Sequence, residues 1–315
     1  MFIIKFLLYS FTIFLSVGNA YSKSSPETFL ETSSINSLPQ YSIEDANIGV
    51  WLSGAAYCNK ENYNSMKIGG PATGFIVKDI LHDPKTDLQG YIGILPSTKT
   101  IYVVFRGTSS IRNWIDDMEI LKVPYSTWNG NIIANGNIHK GFYESTLQLR
   151  NKTIDVVSEL QKKYNYNDIF LTGHSYGAAV SQIMAMELEA INIKTKVYNY
   201  GQPRVGDATY AEFVNSIIKN YWRFTHNKDI VPHIPPLKFN YIHSCGEIFE
   251  LLRLASPESN PIEDDPLNLI TCSKTNCEDP KCSMQYAIYK TNINDHYTYL
   301  GHRLSCEDSS TLHRR

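Results

Sequence analysis

The chain has 315 residues and a formal net charge of −2. It has no block of basic residues, which argues against a nucleic-acid-binding protein. This length suits one large α/β domain or two small ones.

The N-terminus has the pattern of a secretory signal. Lys5 is the only early positive charge, an apolar run covers residues 6–17, and Gly18 and Ala20 supply the small side chains that a signal peptidase reads. A membrane anchor is the alternative, but the run is shorter than the roughly 20 residues of a comfortable span. We predict a signal peptide over residues 1–20, no transmembrane segment, and a product secreted outside the cell or into a secretory or lysosome-like lumen.

The predicted elements alternate along the rest of the chain. Residues 21–40 read as a loose arm and residues 255–295 as loops. Helices are predicted at 43–57, 141–164, 178–188 and 208–218, and strands at 74–81, 90–95, 100–105, 168–172, 196–200 and 221–225. This order predicts an α/β fold over residues 21–315, a single domain with a mostly parallel central sheet and helices on both faces.

All six cysteines lie beyond the predicted signal, at Cys58, Cys245, Cys272, Cys277, Cys282 and Cys306. An even number in an exported chain suggests three disulfides, among 15 possible pairings. Zinc binding is the alternative for the cluster at 272–282, but its spacing lacks a C-x-x-C pair, so disulfides are favoured and no metal is expected.

The most informative motif is the G-x-S-x-G pentapeptide at 173–177, which places Ser175 between a predicted strand and a predicted helix. This context is that of a nucleophile elbow, in which flanking glycines avoid a collision with the neighbouring strand or helix. The next N–H then lies at a helix N-terminus, where it can stabilise negative charge. An ordinary glycine-rich connection is the alternative.

A nucleophilic serine needs a histidine base and a carboxylate that orients it, in the chain order Ser, Asp or Glu, His. Asp229 lies just past a predicted strand end, although it could be a turn aspartate. His296 lies in a polar loop, a common place for a base. The rivals are Asp207, Asp264, Asp265 and Asp279 for the acid, and His233, His243, His302 and His313 for the base.

Five ordered segments resemble the landmarks of the secreted fungal-type class 3 lipases. They are FRGTSSIRNWI at 105–115, TGHSYG at 172–177, YGQPRVG at 200–206, NKDIVPHIPP at 227–236 and DHYTYLG at 295–301. The resemblance implies an α/β-hydrolase fold with Ser175 as nucleophile, Asp229 as acid and His296 as base. It also implies an oxyanion site formed by Thr108 and the backbone N–H of Tyr176.

The chain departs from this family at Tyr176, where leucine is usual, and at Ala178, where glycine is usual. The Tyr176 ring could narrow the acyl site. The resemblance further implies disulfides Cys58–Cys306 and Cys272–Cys282. Cys245 and Cys277 then remain, and we expect them to pair.

A short helical lid is expected after the oxyanion residue, over residues 109–118. Ser109 or Ser110 can cap it, and Ile111, Trp114, Ile115 and Met118 form one apolar stripe. The alternative is a permanently packed surface helix.

We therefore expect a monomeric triacylglycerol lipase that acts without a cofactor at a lipid–water interface. A phospholipase or a feruloyl-type carboxylesterase on the same fold is the alternative, since fold does not fix substrate. A non-catalytic lipid-binding protein is a third possibility, which the intact Ser175, Asp229 and His296 argue against.

Overall fold

The structure, a computed structural model, describes residues 40–127, 133–252 and 268–306. They lie in one compact unit, Leu38–Arg315. The predicted signal peptide and all but the last residue of the predicted arm fall outside the described residues. Within the part that is described, no helix is both long and apolar enough to cross a membrane.

A central sheet of eight strands organises the described residues, in the order β1-β2-β3-β6-β7-β8-β9-β10. Strands β3, β6, β7, β8 and β9 pair in parallel, and β1, β2 and β10 pair antiparallel at the edges. Two small antiparallel pairs, β4–β5 and β11–β12, lie outside it. The strands, numbered along the chain, are β1 Ile76–Asp83, β2 Leu88–Leu95, β3 Thr100–Phe105, β4 Lys122–Ser126, β5 Ile133–His139, β6 Asp168–His174, β7 Thr195–Tyr200, β8 Asn220–His226, β9 Glu247–Glu250, β10 Leu269–Thr271, β11 Thr298–Tyr299 and β12 His302–Arg303.

Helices cover both faces of the sheet, as the sequence predicted. The α-helices among the described residues are α1 Ile43–Ala55, α2 Ile111–Asp116, α3 Lys140–Tyr164, α4 Tyr176–Glu189 and α5 Ala208–Ile217. Helix α1 packs on one face, and α3, α4 and α5 supply the apolar cluster on the other. The central strand β3 shows why both faces are apolar. Ile101 and Val103 belong to the cluster with α3, α4 and α5, while Tyr102 and Val104 belong to the cluster with α1. Alternate side chains of a buried strand serve opposite faces.

Three disulfides tie the loops and the chain ends to this sheet. They join Cys58 to Cys306, Cys245 to Cys277 and Cys272 to Cys282. These are the pairs that the resemblance and the remaining cysteines suggested. The first bridge closes a sequence separation of 248 residues between the end of α1 and the last described residue. Loops of that length contribute up to about 4–5 kcal/mol in the chain-entropy model.

Candidate active site

Ser175 occupies a sharp turn between β6 and α4. Its backbone has φ 58° and ψ −126°, a conformation that non-glycine residues rarely adopt. A Cβ on Gly173 would lie 2.5 Å from backbone atoms of Gly177. One on Gly177 would lie 2.3 Å from the Phe105 carbonyl oxygen. Both positions therefore require glycine, and the turn places Ser175 at the carboxyl end of the sheet.

Asp229 follows β8 and is almost fully buried. Its Oδ2 accepts a hydrogen bond from His296 Nδ1 at 2.8 Å and another from the Tyr299 hydroxyl. Its Oδ1 accepts from the Val231 N–H at 2.8 Å. Burial, and next the Asp229 charge, raise the pKa of Tyr299 well above 10, so the hydroxyl keeps its proton and donates. These three donors fix the orientation of the carboxylate.

His296 lies in a short 3-10 helix, Asn294–Tyr297, and its side chain is fully buried. Because Nδ1 faces a carboxylate oxygen, Nδ1 carries the proton of the neutral ring and Nε2 presents a lone pair. Gly201 makes room for this ring: its φ is +56°, and a Cβ there would lie 2.7 Å from His296 Cε1.

Ser175 and His296 both lie beside the turn that follows β7. The Ser175 N–H donates to the Tyr200 carbonyl at 2.9 Å, and the next residue along, Gly201, contacts the His296 ring. Ser175 Oγ and His296 Nε2 are both buried and have no hydrogen-bond partner among the described residues. An unpartnered buried polar atom costs about 1–3 kcal/mol and calls for an explanation, of which a catalytic role is one. A serine hydroxyl beside such a histidine can attack an acyl carbon.

Four of the rival residues have other contacts, and a fifth, His233, lies in the 3-10 helix Val231–His233 with its Nε2 also buried and unpartnered among the described residues. Asp207 caps α5 through the Tyr210 N–H, and Asp279 accepts from two loop N–H groups. His243 bonds to the Pro232 carbonyl, and His302 stacks on Trp51. Asp264, Asp265 and His313 lie outside the described residues.

Thr108 and Tyr176 lie on either side of the Ser175 turn. Thr108 follows Gly107, where a Cβ would lie 3.1 Å from Ser175 Cβ. Its hydroxyl accepts from the Ser110 N–H at 3.3 Å. Tyr176 is the first residue of α4, so its N–H is one of the helix N-terminal groups that lack an intrahelical partner. Such groups can stabilise a negative oxygen.

The chain is similar in sequence to known lipases. Residues 102–239 match the family model described as lipase (class 3). A lipase from Rhizomucor miehei is 34% identical over 210 residues, which are 65% of this chain and 53% of that protein. The chain is therefore similar to the class 3 lipases. It spans about half the length of the curated relatives that it matches first.

Solved structures of this family confirm the α/β-hydrolase fold. One is a triacylglycerol lipase whose catalytic centre is described as a serine protease triad; it is 27% identical, with a TM-score of 0.72, 84% of this chain and 96% of that chain covered. Another is the mono- and diacylglycerol lipase from Aspergillus oryzae, 27% identical, with a TM-score of 0.69, 85% of this chain and all of that chain covered.

The expected lid segment is a helix of six residues, α2. The prediction was too long at its C-terminal end, since Met118 lies outside the helix, and wrong about the cap. Ser110 precedes the helix but makes no capping hydrogen bond through its side chain, because its backbone (φ −121°, ψ 63°) is not the extended conformation of a capping residue. So short a helix depends on its packing.

The apolar side of α2 supplies that packing. Ile111 is buried, and Trp114 and Ile115 are half-buried. The Trp114 ring lies 5.9 Å from the Tyr176 ring in a T-shaped contact and 6.0 Å from the Phe142 ring. The helix therefore rests on the residue that follows Ser175.

Two cavities lie beside the α2 segment, and Thr108 lines both. The larger, about 520 Å³, is also lined by Tyr57, His174 and His296. The smaller, about 370 Å³, is also lined by Trp114, Tyr176 and Ser145. Both volumes fall in the usual range of small-molecule sites. The Tyr176 hydroxyl bonds to Ser145 Oγ at 2.7 Å and to the Gly141 carbonyl at 3.0 Å, which holds its ring in the wall of the smaller cavity.

The contacts of Tyr57, His174 and Tyr299 were not predicted from the sequence. Tyr299 had a local signal, because it follows His296 by three residues in the same motif. Tyr57 had no local signal, because only folding brings the segment after α1 close to the turn that carries Ser175.

One described group has the composition of a metal site: Glu247, Cys272 and Cys282. The two sulfur atoms are joined to each other, so neither is available as a thiolate ligand. This pairing excludes the zinc alternative for the cluster at 272–282.

Proposed function

We propose that this protein is a secreted, monomeric serine ester hydrolase of acylglycerols. The observation that carries the proposal is the 2.8 Å hydrogen bond from His296 Nδ1 to Asp229, which leaves His296 Nε2 unpartnered near the equally unpartnered Ser175 hydroxyl. The three disulfides and a predicted signal at residues 1–20 support export.

The geometry supports an acyl-enzyme mechanism. Ser175 Oγ attacks the ester carbonyl carbon while His296 Nε2 accepts its proton. The tetrahedral oxyanion is stabilised by Thr108 and the Tyr176 N–H. The alcohol leaves with the proton from His296. Water then attacks the acyl-enzyme carbonyl carbon while His296 accepts a proton from the water, and the fatty acid is released as that proton passes to Ser175 Oγ. Asp229 holds the imidazole and stabilises its positive charge.

Acylglycerols are the proposed substrates because the structural relatives are described as a triacylglycerol lipase and a mono- and diacylglycerol lipase. The smaller cavity, with Tyr176 in its wall, can hold an acyl chain. We expect the tyrosine to favour shorter chains than a leucine would, because its ring is fixed by its contacts with Trp114 and Ser145.

Helix α2 is proposed to be a hinged lid. In the present arrangement it packs Trp114 on Tyr176. At a lipid–water interface its apolar side would turn to lipid and uncover Ser175, which is only 1% exposed here.

The test compares the purified protein with Ser175→Ala on emulsified triacylglycerol, phospholipid and a soluble short-chain ester. We expect triacylglycerol hydrolysis and covalent labelling by an organophosphonate in the wild type only, with the variant still folded. Labelling of the variant, or a wild type that prefers phospholipid or the soluble ester, would contradict the proposal.

A further inference from the structure

His174, the residue before Ser175, is buried with a hydrogen bond at each ring nitrogen. Nδ1 lies 2.6 Å from the Tyr57 hydroxyl, and Nε2 lies 2.8 Å from the backbone carbonyl oxygen of His296. The ring thus connects the end of α1 to the loop that carries the proposed base.

The direction of both hydrogen bonds follows from the chemistry of the partners. A carbonyl oxygen can only accept, so His174 Nε2 carries the proton and Nδ1 is the acceptor. The Tyr57 hydroxyl must then donate. Burial raises the pKa of Tyr57, so that hydroxyl keeps its proton at any working pH.

The His174 ring also lies against the His296 ring. Their centroids are 4.2 Å apart and their planes differ by 33°. Burial, and next the neighbouring His296, lower the pKa of His174 well below its usual value. A neutral ring can remain beside the imidazolium that forms on His296 during ester cleavage, whereas a charged one would repel it.

The His296 ring is therefore held on several sides. Asp229 bonds to Nδ1, Gly201 contacts Cε1, and the His174 ring packs against the imidazole. Asp229 sets the rotation of the ring. The hydrogen bond from His174 instead fixes the His296 backbone carbonyl, and so sets the position of the backbone from which the His296 side chain extends.

We propose that Tyr57 and His174 form a positioning relay, in which the Tyr57 hydroxyl donates to Nδ1 and holds the His174 ring in place, and His174 Nε2–H holds the His296 carbonyl. The relay rests on the proposed function, because it acts through His296 as the base. Tyr57 and His174 are positioning residues.

The experiment uses three full-length variants. His174→Leu removes the donor and is expected to lower kcat about 10- to 100-fold, the scale of a misplacement of about 1 Å, with KM changed less than about twofold. His174→Gln keeps an amide N–H near the position of Nε2 and should recover most of kcat. Tyr57→Phe removes only the hydroxyl and should lower kcat by about tenfold, the lower end of the same scale, because the His174 ring then keeps one of its two hydrogen bonds.

Two matched variants control for general damage. Tyr63→Phe removes another buried hydroxyl that donates to the Ala56 carbonyl, and His243→Gln replaces an equally buried histidine that bonds to the Pro232 carbonyl. Both should keep kcat within about twofold of wild type, since neither residue contacts His296.

A proton resonance supplies a readout that does not depend on turnover. The His296 Nδ1–H bonded to Asp229 should give a downfield NMR signal that is sharp in the wild type and in His174→Gln. We expect this signal to broaden by exchange in His174→Leu, while the thermal unfolding temperature of His174→Leu matches that of the control His243→Gln.

A changed KM at wild-type kcat in Tyr57→Phe would show that Tyr57 touches substrate and would overturn the relay. An unchanged kcat and proton signal in His174→Leu would overturn it as well. If the wild type cleaves no ester, the proposed function fails, and the proton signal alone still decides whether His174 positions His296.

Discussion

The two halves of the candidate site are built differently. In the acid–base half, Asp229, His296, Tyr299 and His174 are all buried and joined to one another by hydrogen bonds. In the oxyanion half, Thr108 is half-buried and hydrogen-bonds to its own loop, and the helix α2 that follows has no side-chain cap. The groups that we propose to transfer a proton are fixed by hydrogen bonds, whereas the segment that we propose to be a lid is held by fewer contacts.

This difference has an energetic basis. Each buried hydrogen bond to a charged group contributes about 1.5–3 kcal/mol, so the acid–base half has no low-energy alternative arrangement. Helix α2 is held by the burial of Ile111 and by the ring contacts of Trp114, each contact contributing about 0.5–1.5 kcal/mol beyond its buried area. A lipid surface can supply a gain of comparable size.

The largest expected effect comes from breaking the acid–base half at its centre. Asp229→Asn keeps the shape of the side chain but turns the His296 ring toward the wrong tautomer, because the new amide can donate to Nδ1. We expect kcat on a soluble ester to fall by about 10⁴, the scale of the equivalent change in the serine proteases. Steady-state kinetics measure it.

The matched control for this prediction is Asp207→Asn, which changes a buried aspartate that caps α5. It should lose stability but keep most of its turnover per folded molecule. Full activity in Asp229→Asn, or an equal loss in Asp207→Asn, would show that Asp229 is not the orienting acid.

The two halves also differ in how far sequence could predict them. The positions of Ser175, Asp229 and His296 follow from motifs that keep their chain order. The contacts of Tyr299 and His174 do not, because they depend on how three separate strand ends meet. The apolar stripe of the proposed lid could be predicted from the sequence, but the length of α2 could not. A helix of only six residues depends on its packing contacts, and these are not evident from the sequence.

The strands of the fold also differ in how well the sequence predicts them. Strand β3 was predicted at its observed bounds, because a strand buried on both faces is a nearly continuous apolar run, and β7 was predicted to within a residue. The β4–β5 hairpin and the three-residue β10 were not predicted. The side chains of β4 and β10 are mostly half-buried or exposed, so no apolar period marks these strands.

A second, intermediate effect concerns acid. Burial, and next the charge of Arg204, lower the pKa of His233 from 6.5 to about 4. Because the folded state binds this proton less readily than the unfolded chain, stability is complete above about pH 6.5 and is lost as pH falls toward 4. His233 alone should cost about 3 kcal/mol over that window. Urea unfolding at several pH values measures the slope.

His233→Gln isolates this contribution, since it removes the titration and leaves the neighbouring carboxylates unchanged. Its free energy of unfolding should fall less steeply with acid than that of the wild type. His233 follows Asp229 closely, whereas residues 106–118 of the oxyanion half contain no histidine. If the free energy of unfolding falls with pH at the same slope in the two proteins, His233 does not link acid to the stability of the acid–base half.

The smallest expected effect comes from the oxyanion half. Trp114→Ala removes the ring that packs on Tyr176 and Phe142, so both the closed contact and the lipid-facing stripe are weakened. For the wild type we expect activity on a sparingly soluble ester to rise sharply once the ester exceeds its solubility limit. In Trp114→Ala that rise should shrink several-fold, while activity on dissolved ester stays near the wild-type value, because one large side chain contributes roughly 1.5–3 kcal/mol on burial in lipid.

Ile76→Ala is the control, since Ile76 is 44% exposed on the edge strand β1, away from α2. It removes exposed apolar surface without touching the lid and should keep the full rise. A smooth saturation curve through the solubility limit in the wild type, unchanged by Trp114→Ala, would mean that α2 is a permanently packed helix. The contrast between a fixed acid–base half and a movable oxyanion half would then be wrong, and a carboxylesterase acting on dissolved substrate would fit the site better than a lipase.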